Sequence, residues 1–350
     1  MRTTNLWTCL VAGVFALDIL ASHSDGASSY TMQDLGVDDA MTAAGPNASG
    51  QAAVRAGFNS ARSFRISPGA LPTLTSDTVG LLPSGTHTTA SAINDSGTVV
   101  GSANGKTSVR PVVWTKTGAL QDLGTLPGDN AGEAFGINNP GAVVGYSAGP
   151  QGPRAFLWTA KGGMQNLGAL LAGESSKAFG ISDNGLVVGS SGSPMGTHAV
   201  LWSGSGIQDL GTLPGDTTSE AFAVNNQGSV VGYSRGSAGT RAFLWTSQSG
   251  MQSLDPLPGG NNSRAFGIND KGDVVGASES FDGGRAVLWS AKGKAQDINA
   301  LLTVPPGILL TQAVGINSKG QIVVSARNEM DEHHLHEGFN RVYLLTPAGQ

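Results

Sequence analysis

Short apolar runs punctuate this chain at regular intervals, separated by breaks of Gly, Asn, Asp, Ser and Pro. Four kinds recur in a fixed order, in their fullest forms "MQDLG", "AFGIN", "VVGYS" and "RAFLWT". Each is rich in β-branched or aromatic residues and too brief to carry a helical period, so each predicts a strand. The links predict tight turns. "AFGIN" runs into "VVG" through "NNPG", "SDNG", "NNQG", "NDKG" or "NSKG". There Asn or Asp opens the turn and Gly takes the closing position, which needs a positive φ. "FLWT" runs into "MQDLG" through "AKGG" or "SQSG", a second short hairpin.

The order repeats with one period. The fourth position of "QDLG" falls at Gly36, Gly80, Gly124, Gly168, Gly211, Asp255 and Asn299, in steps of 44, 44, 44, 43, 44 and 44 residues. The nonapeptide "QDLGTLPGD" occurs at 121–129 and again at 208–216, a separation of 87 residues, or two periods. Seven units of this length point to a propeller or a solenoid. Four antiparallel strands per unit make a propeller blade, so the expectation is an all-β, seven-bladed β-propeller. "AFGIN" would be innermost and "QDLG" outermost. Gln33–Gly36 near the start would pair with Val342–Thr346 at the end and close the ring, leaving no open sheet edge. An open β-solenoid is the rival architecture. Trp114, Trp158, Trp202, Trp245 and Trp289 share one register, filled by Ile66 and Leu345 in the end units. Apolar flanks and replacement by Ile and Leu read as inter-blade core rather than a ring of sugar-stacking aromatics.

Composition adds a compartment. The chain has 350 residues, a formal charge of −5, 52 glycines and one cysteine. Mild acidity argues against a nucleic-acid partner. Residues 1–28 have a basic start, an apolar run and small residues after it, the pattern of a secretory signal peptide, with an N-terminal anchor as the other reading. Cys9 lies inside it, so the mature chain, a single repeat domain over 29–350, would lack cysteine. The reading is a secreted or periplasmic monomer with no membrane span after cleavage.

Ordered recurrence of "DLGTL", "AFGIN", "G.VVG.S" and "AFLW" over about residues 30–346 resembles the HAF repeat of secreted bacterial proteins. The family is named for His-Ala-Phe; here the first residue is usually Arg, and only His198 keeps the histidine. The resemblance implies an exported repeat protein, expected to be a propeller, and implies no activity.

Candidate chemistry falls in three places. Arg110, Arg154, His198, Arg241, Arg285 and Arg341 share the residue that enters the "AFLW" strand, as does Arg62. They are either a cationic ring for an anionic ligand such as an acidic polysaccharide, or ties between blades, with Glu133 and Glu220 as candidate partners. Glu329 to Glu337 interrupts the last unit with Asp331, Glu332, His333, His334 and His336, a divalent-metal candidate with no standard zinc spacing. A solvated charge cluster is its other reading, and no other cofactor is indicated. The Asp and Asn of "LPGDN", "LPGDT" and "LPGGNN" read as turn chemistry rather than calcium loops.

Variable second-to-third loops and blade crossings share one face and mark it as the working face. No hydrolase, P-loop or dinucleotide motif is present. The leading functional expectation is a binding or interaction propeller for a glycan or cell-surface protein. A carbohydrate-active hydrolase or lyase on the same face and a structural matrix protein are the alternatives. Asymmetric polar residues near the axis would favour an enzyme.

Overall fold

The computed structural model describes residues 29–37, 40–56, 62–69, 80–281, 283–290, 294–328 and 340–349. The strands form seven separate antiparallel sheets. The first strands of successive sheets touch in sequence, and Ile308–Ile316 returns to Ala40–Ala44, which closes a ring. The protein is a seven-bladed β-propeller. Six sheets have four strands, and the first has three among the described residues, Ala40–Ala44, Ala52–Ala56 and Arg62–Ile66. We number the blades 1 to 7 from this sheet. The only helical segment among the described residues is a 3-10 turn at Ile298–Ala300.

Blade 3 shows the rule: Ala131–Ile137 is innermost, then Val143–Gly149, Gly152–Thr159 and Gly163–Asn166 outermost. Closure follows the expected pairing. Tyr30–Asp34 lies beside Asn340–Pro347, with Met32 opposite Leu345 and Asp34 opposite Tyr343. The last sheet is therefore built from both ends of the described chain. Opening the ring costs a whole row of ladder hydrogen bonds and exposes the core between blades 7 and 1.

That core is repeated between every pair of neighbours. Between blades 2 and 3, Val100 and Val113 meet Leu123, Leu126, Ala134 and Phe156. The tryptophan register belongs here: Trp114, Trp202, Trp245 and Trp289 are buried, as are Ile66 and Leu345. The Nε1 of Trp114 donates to the Gly80 carbonyl, and that of Trp289 to the Asp255 carbonyl, just past the outer strand of blade 5. A large ring and one polar atom thus bind adjacent blades.

Two local rules shape the axis. In blades 2 to 6 the glycine of "VVG" faces a bulge in the inner strand; in blade 5 the register shifts between Ala221 and Ala223. A Cβ on Gly232 would collide with the Glu220 carbonyl, and Gly101, Gly145, Gly189 and Gly276 stand in the same position. Only glycine permits this approach. The glycine closing each first-to-second turn has φ between 75° at Gly50 and 88° at Gly141, as the turn chemistry requires.

Candidate functional site

The arginine register is an ion-pair system inside the blades. In blade 2, Arg110 Nε lies 3.1 Å from Asp122. In blade 4, His198 Nδ1 lies 3.0 Å from Asp209, in blade 6 Arg285 lies 3.8 Å from Asp297, and in blade 7 Arg341 lies 3.1 Å from Asp34. These aspartates all come from the "QD" of the outer strand. In blades 3 and 5 that position is Asn166 and Ser253. There the arginine turns to the aspartate of the preceding crossing: Arg154 to Asp129 at 2.8 Å and Arg241 to Asp216 at 2.9 Å. Asp129 also accepts from Ser147 Oγ, and both crossing aspartates are almost wholly buried. The partners are therefore aspartates; Glu133 and Glu220 lie elsewhere, because they sit on the innermost strands, two strands away from the arginines. The crossing aspartate does more than shape a turn.

The segment holding Asp331, Glu332, His333, His334 and His336 lies outside the described residues, as do residues 1–28. Among the described residues no group of three or more His, Cys, Asp or Glu side chains is placed to hold a metal.

The loops of the expected working face differ in sequence but not in form. In blades 3 to 5 the second and third strands are joined by two-residue turns, with Gly149 paired with Gly152, Ser193 with Gly196 and Gly236 with Gly239, and in blade 6 Ser280 pairs with Gly283. Such loops make a shallow rim. The central channel has two mouths, and they are built differently.

On the face of the first-to-second turns, a cavity of about 350 Å³ is lined by Asn, Asp and Ser side chains together with Ile and Val, with turns from all seven blades contributing. Its wall is a hydrogen-bonded ring. The side-chain amides of Asn47, Asn94 and Asn138 donate to the carbonyls of Asn94, Asn138 and Ser182. Asn225, Asn269 and Asn317 continue to Asn269, Asn317 and Asn47. The ring is broken only at Ser182, whose hydroxyl bonds within its own turn. The next residue in each turn forms a second layer: Asn139 donates to both Asp95 and Asp183, and Asn226 to Asp270. The turn-opening asparagines thus also lock adjacent blades together at six of the seven junctions.

At the opposite mouth the residue before "AF" on the inner strand is Glu133, Lys177, Glu220 and Arg264 in blades 3 to 6, whereas blades 7, 1 and 2 have Gln312, Thr42 and Thr89. On the second strand, Tyr146 stands opposite Glu133 and Tyr233 opposite Glu220. The Lys177 ammonium lies 5.1 Å from the Tyr146 ring centroid, and the Arg264 guanidinium 5.3 Å from that of Tyr233, both cation–π contacts. Below this arc, Phe135, Phe179, Phe222 and Phe266 make a chain of ring contacts with centroids 5.4, 5.5 and 5.7 Å apart. The mouth is uneven: a charged, aromatic arc across blades 3 to 6 faces three blades with uncharged side chains before "AF", although Arg55 of blade 1 stands opposite Thr42 at the register of Tyr146 and Tyr233.

Burial pushes the Tyr146 hydroxyl up to about 12, helped by the charge and hydrogen bond of Glu133. Burial also raises the Glu220 carboxyl, against the opposing pull of the Tyr233 hydroxyl, Lys177 and Arg264. Carboxylates, cations and ring faces held side by side can engage a ligand rich in hydroxyl groups. Sequence reasoning touched Glu133 and Glu220 only as partners for the arginines, and it missed Tyr146, Lys177, Tyr233 and Arg264. The signal was present: the residue before "AF" varies in charge while its neighbours hold to the repeat.

No family model and no curated protein matches the chain. Solved structures do. Virginiamycin B lyase from Staphylococcus aureus, as a catalytically inactive variant with quinupristin, superposes with a TM-score of 0.52 at 12% identity over 91% of this chain and 99% of that one. A selenomethionine form of the same lyase gives 0.51 at 13% identity, over 91% of this chain and 98% of that one. Puromycin hydrolase gives 0.50 at 14% identity, over 80% of this chain and 49% of that one. These likenesses define the class, a β-propeller module; its neighbours serve different chemistries, and fold alone assigns none of them.

Proposed function

We propose that this protein is an exported HAF-repeat propeller that binds a glycan at the loop-face mouth of its channel. One observation carries the reading: Glu133, Tyr146, Lys177, Glu220, Tyr233 and Arg264 form a continuous arc over a phenylalanine floor, across four neighbouring blades. The polar groups of the other mouth are spent on one another. The arc pairs each tyrosine hydroxyl with a glutamate but rests its cations on ring faces, and so presents acceptors, donors and aromatic faces to the channel, the mixture that sugar hydroxyls and ring faces require. A signal-peptide-like start at residues 1–28 supports export, where extracellular and cell-surface glycans are met. The test is a glycan array probed with the full mature chain and with Lys177→Ala. Selective binding lost in the variant supports the reading; no binding to any glycan ends it.

A carbohydrate-active hydrolase or lyase is the second reading, favoured by the asymmetry and by the raised Glu220 carboxyl, which suits proton transfer. Incubation of the bound glycan with protein, followed by a reducing-end assay, separates the two. New ends that depend on Glu220 make it an enzyme.

A further inference from the structure

Several arginines of this chain already have partners. Arg110, Arg154, Arg241, Arg285 and Arg341 face aspartates, and Arg65 donates to the carbonyls of Gly97 and Lys116. Arg235 and Arg264 differ. Among the described residues neither forms an ion pair with a carboxylate, and both are exposed. Both also line one cavity of about 390 Å³ between blades 5 and 6, together with Thr240, Asn262 and Glu279. Tyr233 connects them: Arg264 stacks on its ring, and Arg235 lies two residues on along the same strand, hence on the same face.

The space itself is a local departure from the repeat. Ala277 occupies the register held by Tyr146 in blade 3 and Tyr233 in blade 5. A tyrosine there would stand beside Arg264 and fill the cavity that Ala277 helps to line. The single carboxylate of the cavity is already engaged, since Asn262 Nδ2 donates to Glu279 at 2.8 Å. The Asn262 oxygen is held in turn by the Thr240 amide at 2.8 Å. Two guanidinium groups are thus left facing an open, polar space that adjoins the arc.

We infer that this cavity is an anion subsite that receives the carboxylate or sulfate of an acidic sugar, so that the glycan bound at the channel mouth is a charged one. The inference rests on the proposed glycan-binding role of that mouth. A guanidinium held over an aromatic ring, as that of Arg264 is, keeps its edge donors free, and together with a second guanidinium it can grip a planar carboxylate or a tetrahedral sulfate through paired hydrogen bonds.

The experiment is calorimetric titration of the full mature chain with three probes: an oligogalacturonate, its carboxyl-reduced neutral analogue and a sulfated oligosaccharide of similar length. The expected result is binding of the neutral analogue at least about ten-fold weaker than the better acidic probe. The stronger of the uronate and the sulfate names the group. R235Q should reduce that preference about ten-fold and leave the neutral analogue unchanged; R264Q should reduce the preference as much and also weaken the neutral analogue, because Arg264 belongs to the arc as well. A277Y should do the same by filling the space, and R110Q, at the paired register, should leave the preference intact. Equal binding of acidic and neutral probes, or a preference that survives both R235Q and R264Q, overturns the subsite and leaves the glycan reading standing. Failure of all three probes to bind overturns the subsite, and the glycan reading falls with it if the array shows no binding either.

Discussion

The two mouths of the channel are built from matching positions of the same repeat, yet they do opposite things with their polar groups. On the turn face, each asparagine amide finds the carbonyl of the next blade, and the Asn and Asp side chains of the second layer find their neighbours. On the loop face, Lys177 and Arg264 rest on tyrosine rings and share the field of Glu220 without a close ion pair. The first arrangement holds the ring together. The second leaves interaction energy available to a ligand. Polarity at an axis is therefore not by itself a sign of function; what matters is whether the groups satisfy one another.

The comparison breaks hardest where a backbone collision is forced. Gly232→Ala drives a methyl group into the Glu220 carbonyl, beneath the arc. We expect about 3 kcal/mol or more of lost stability by urea denaturation, or failure to fold. The turn-face ring comes next. Asn138→Ala removes a donor to Ser182 and strands the Ala142 amide, which Asn138 Oδ1 accepts at 2.8 Å. A loss of about 2–4 kcal/mol is expected, with glycan binding unchanged. Lys177→Ala should show the converse: stability within about 0.5 kcal/mol of wild type, since its contacts are partly exposed, and weakened binding.

Two smaller effects test the electrostatics of the arc. A carboxyl raised by burial makes the folded state hold its proton longer than the unfolded chain does. Its stability contribution is full below the unfolded carboxyl range and is lost as pH rises through the folded value. Glu220→Gln should therefore melt higher than wild type at about pH 7, with the gain vanishing below about pH 4. Last, ultraviolet titration should reveal a tyrosine ionising near 12, absent in Tyr146→Phe.

Most of the architecture was legible because a propeller writes its period into the chain. Strand order, closure by the first strand and the buried tryptophan register all follow from four recurring runs and their spacing. The site was less legible, because each blade supplies one residue and the motif holding it looks like any other unit. The repeated nonapeptide illustrates the difference. It first reads as an outer strand running into a crossing, which is evidence of shape alone. In the fold its two aspartates serve two successive blades. Asp122 meets Arg110 and Asp129 meets Arg154; in the second copy Asp209 meets His198 and Asp216 meets Arg241. The exact recurrence at two periods thus marks blades that alternate in pairs. The axis alternates likewise, with Glu and Tyr in blades 3 and 5, and Lys or Arg beside Ser190 or Ala277 in blades 4 and 6. No single 44-residue unit displays that longer rhythm. Three-dimensional proximity was needed to join Lys177 to Tyr146 and Arg264 to Tyr233.

The central claim is that the two mouths have separate duties, and one paired measurement tests it. Oligogalacturonate binding and thermal melting are recorded together for wild type, Asn138→Ala and Lys177→Ala. The account predicts that Asn138→Ala melts markedly lower yet binds as wild type, whereas Lys177→Ala melts as wild type and binds at least about ten-fold more weakly. Loss of binding in Asn138→Ala at temperatures where it is folded, with normal binding in Lys177→Ala, would place the ligand at the other mouth and contradict it.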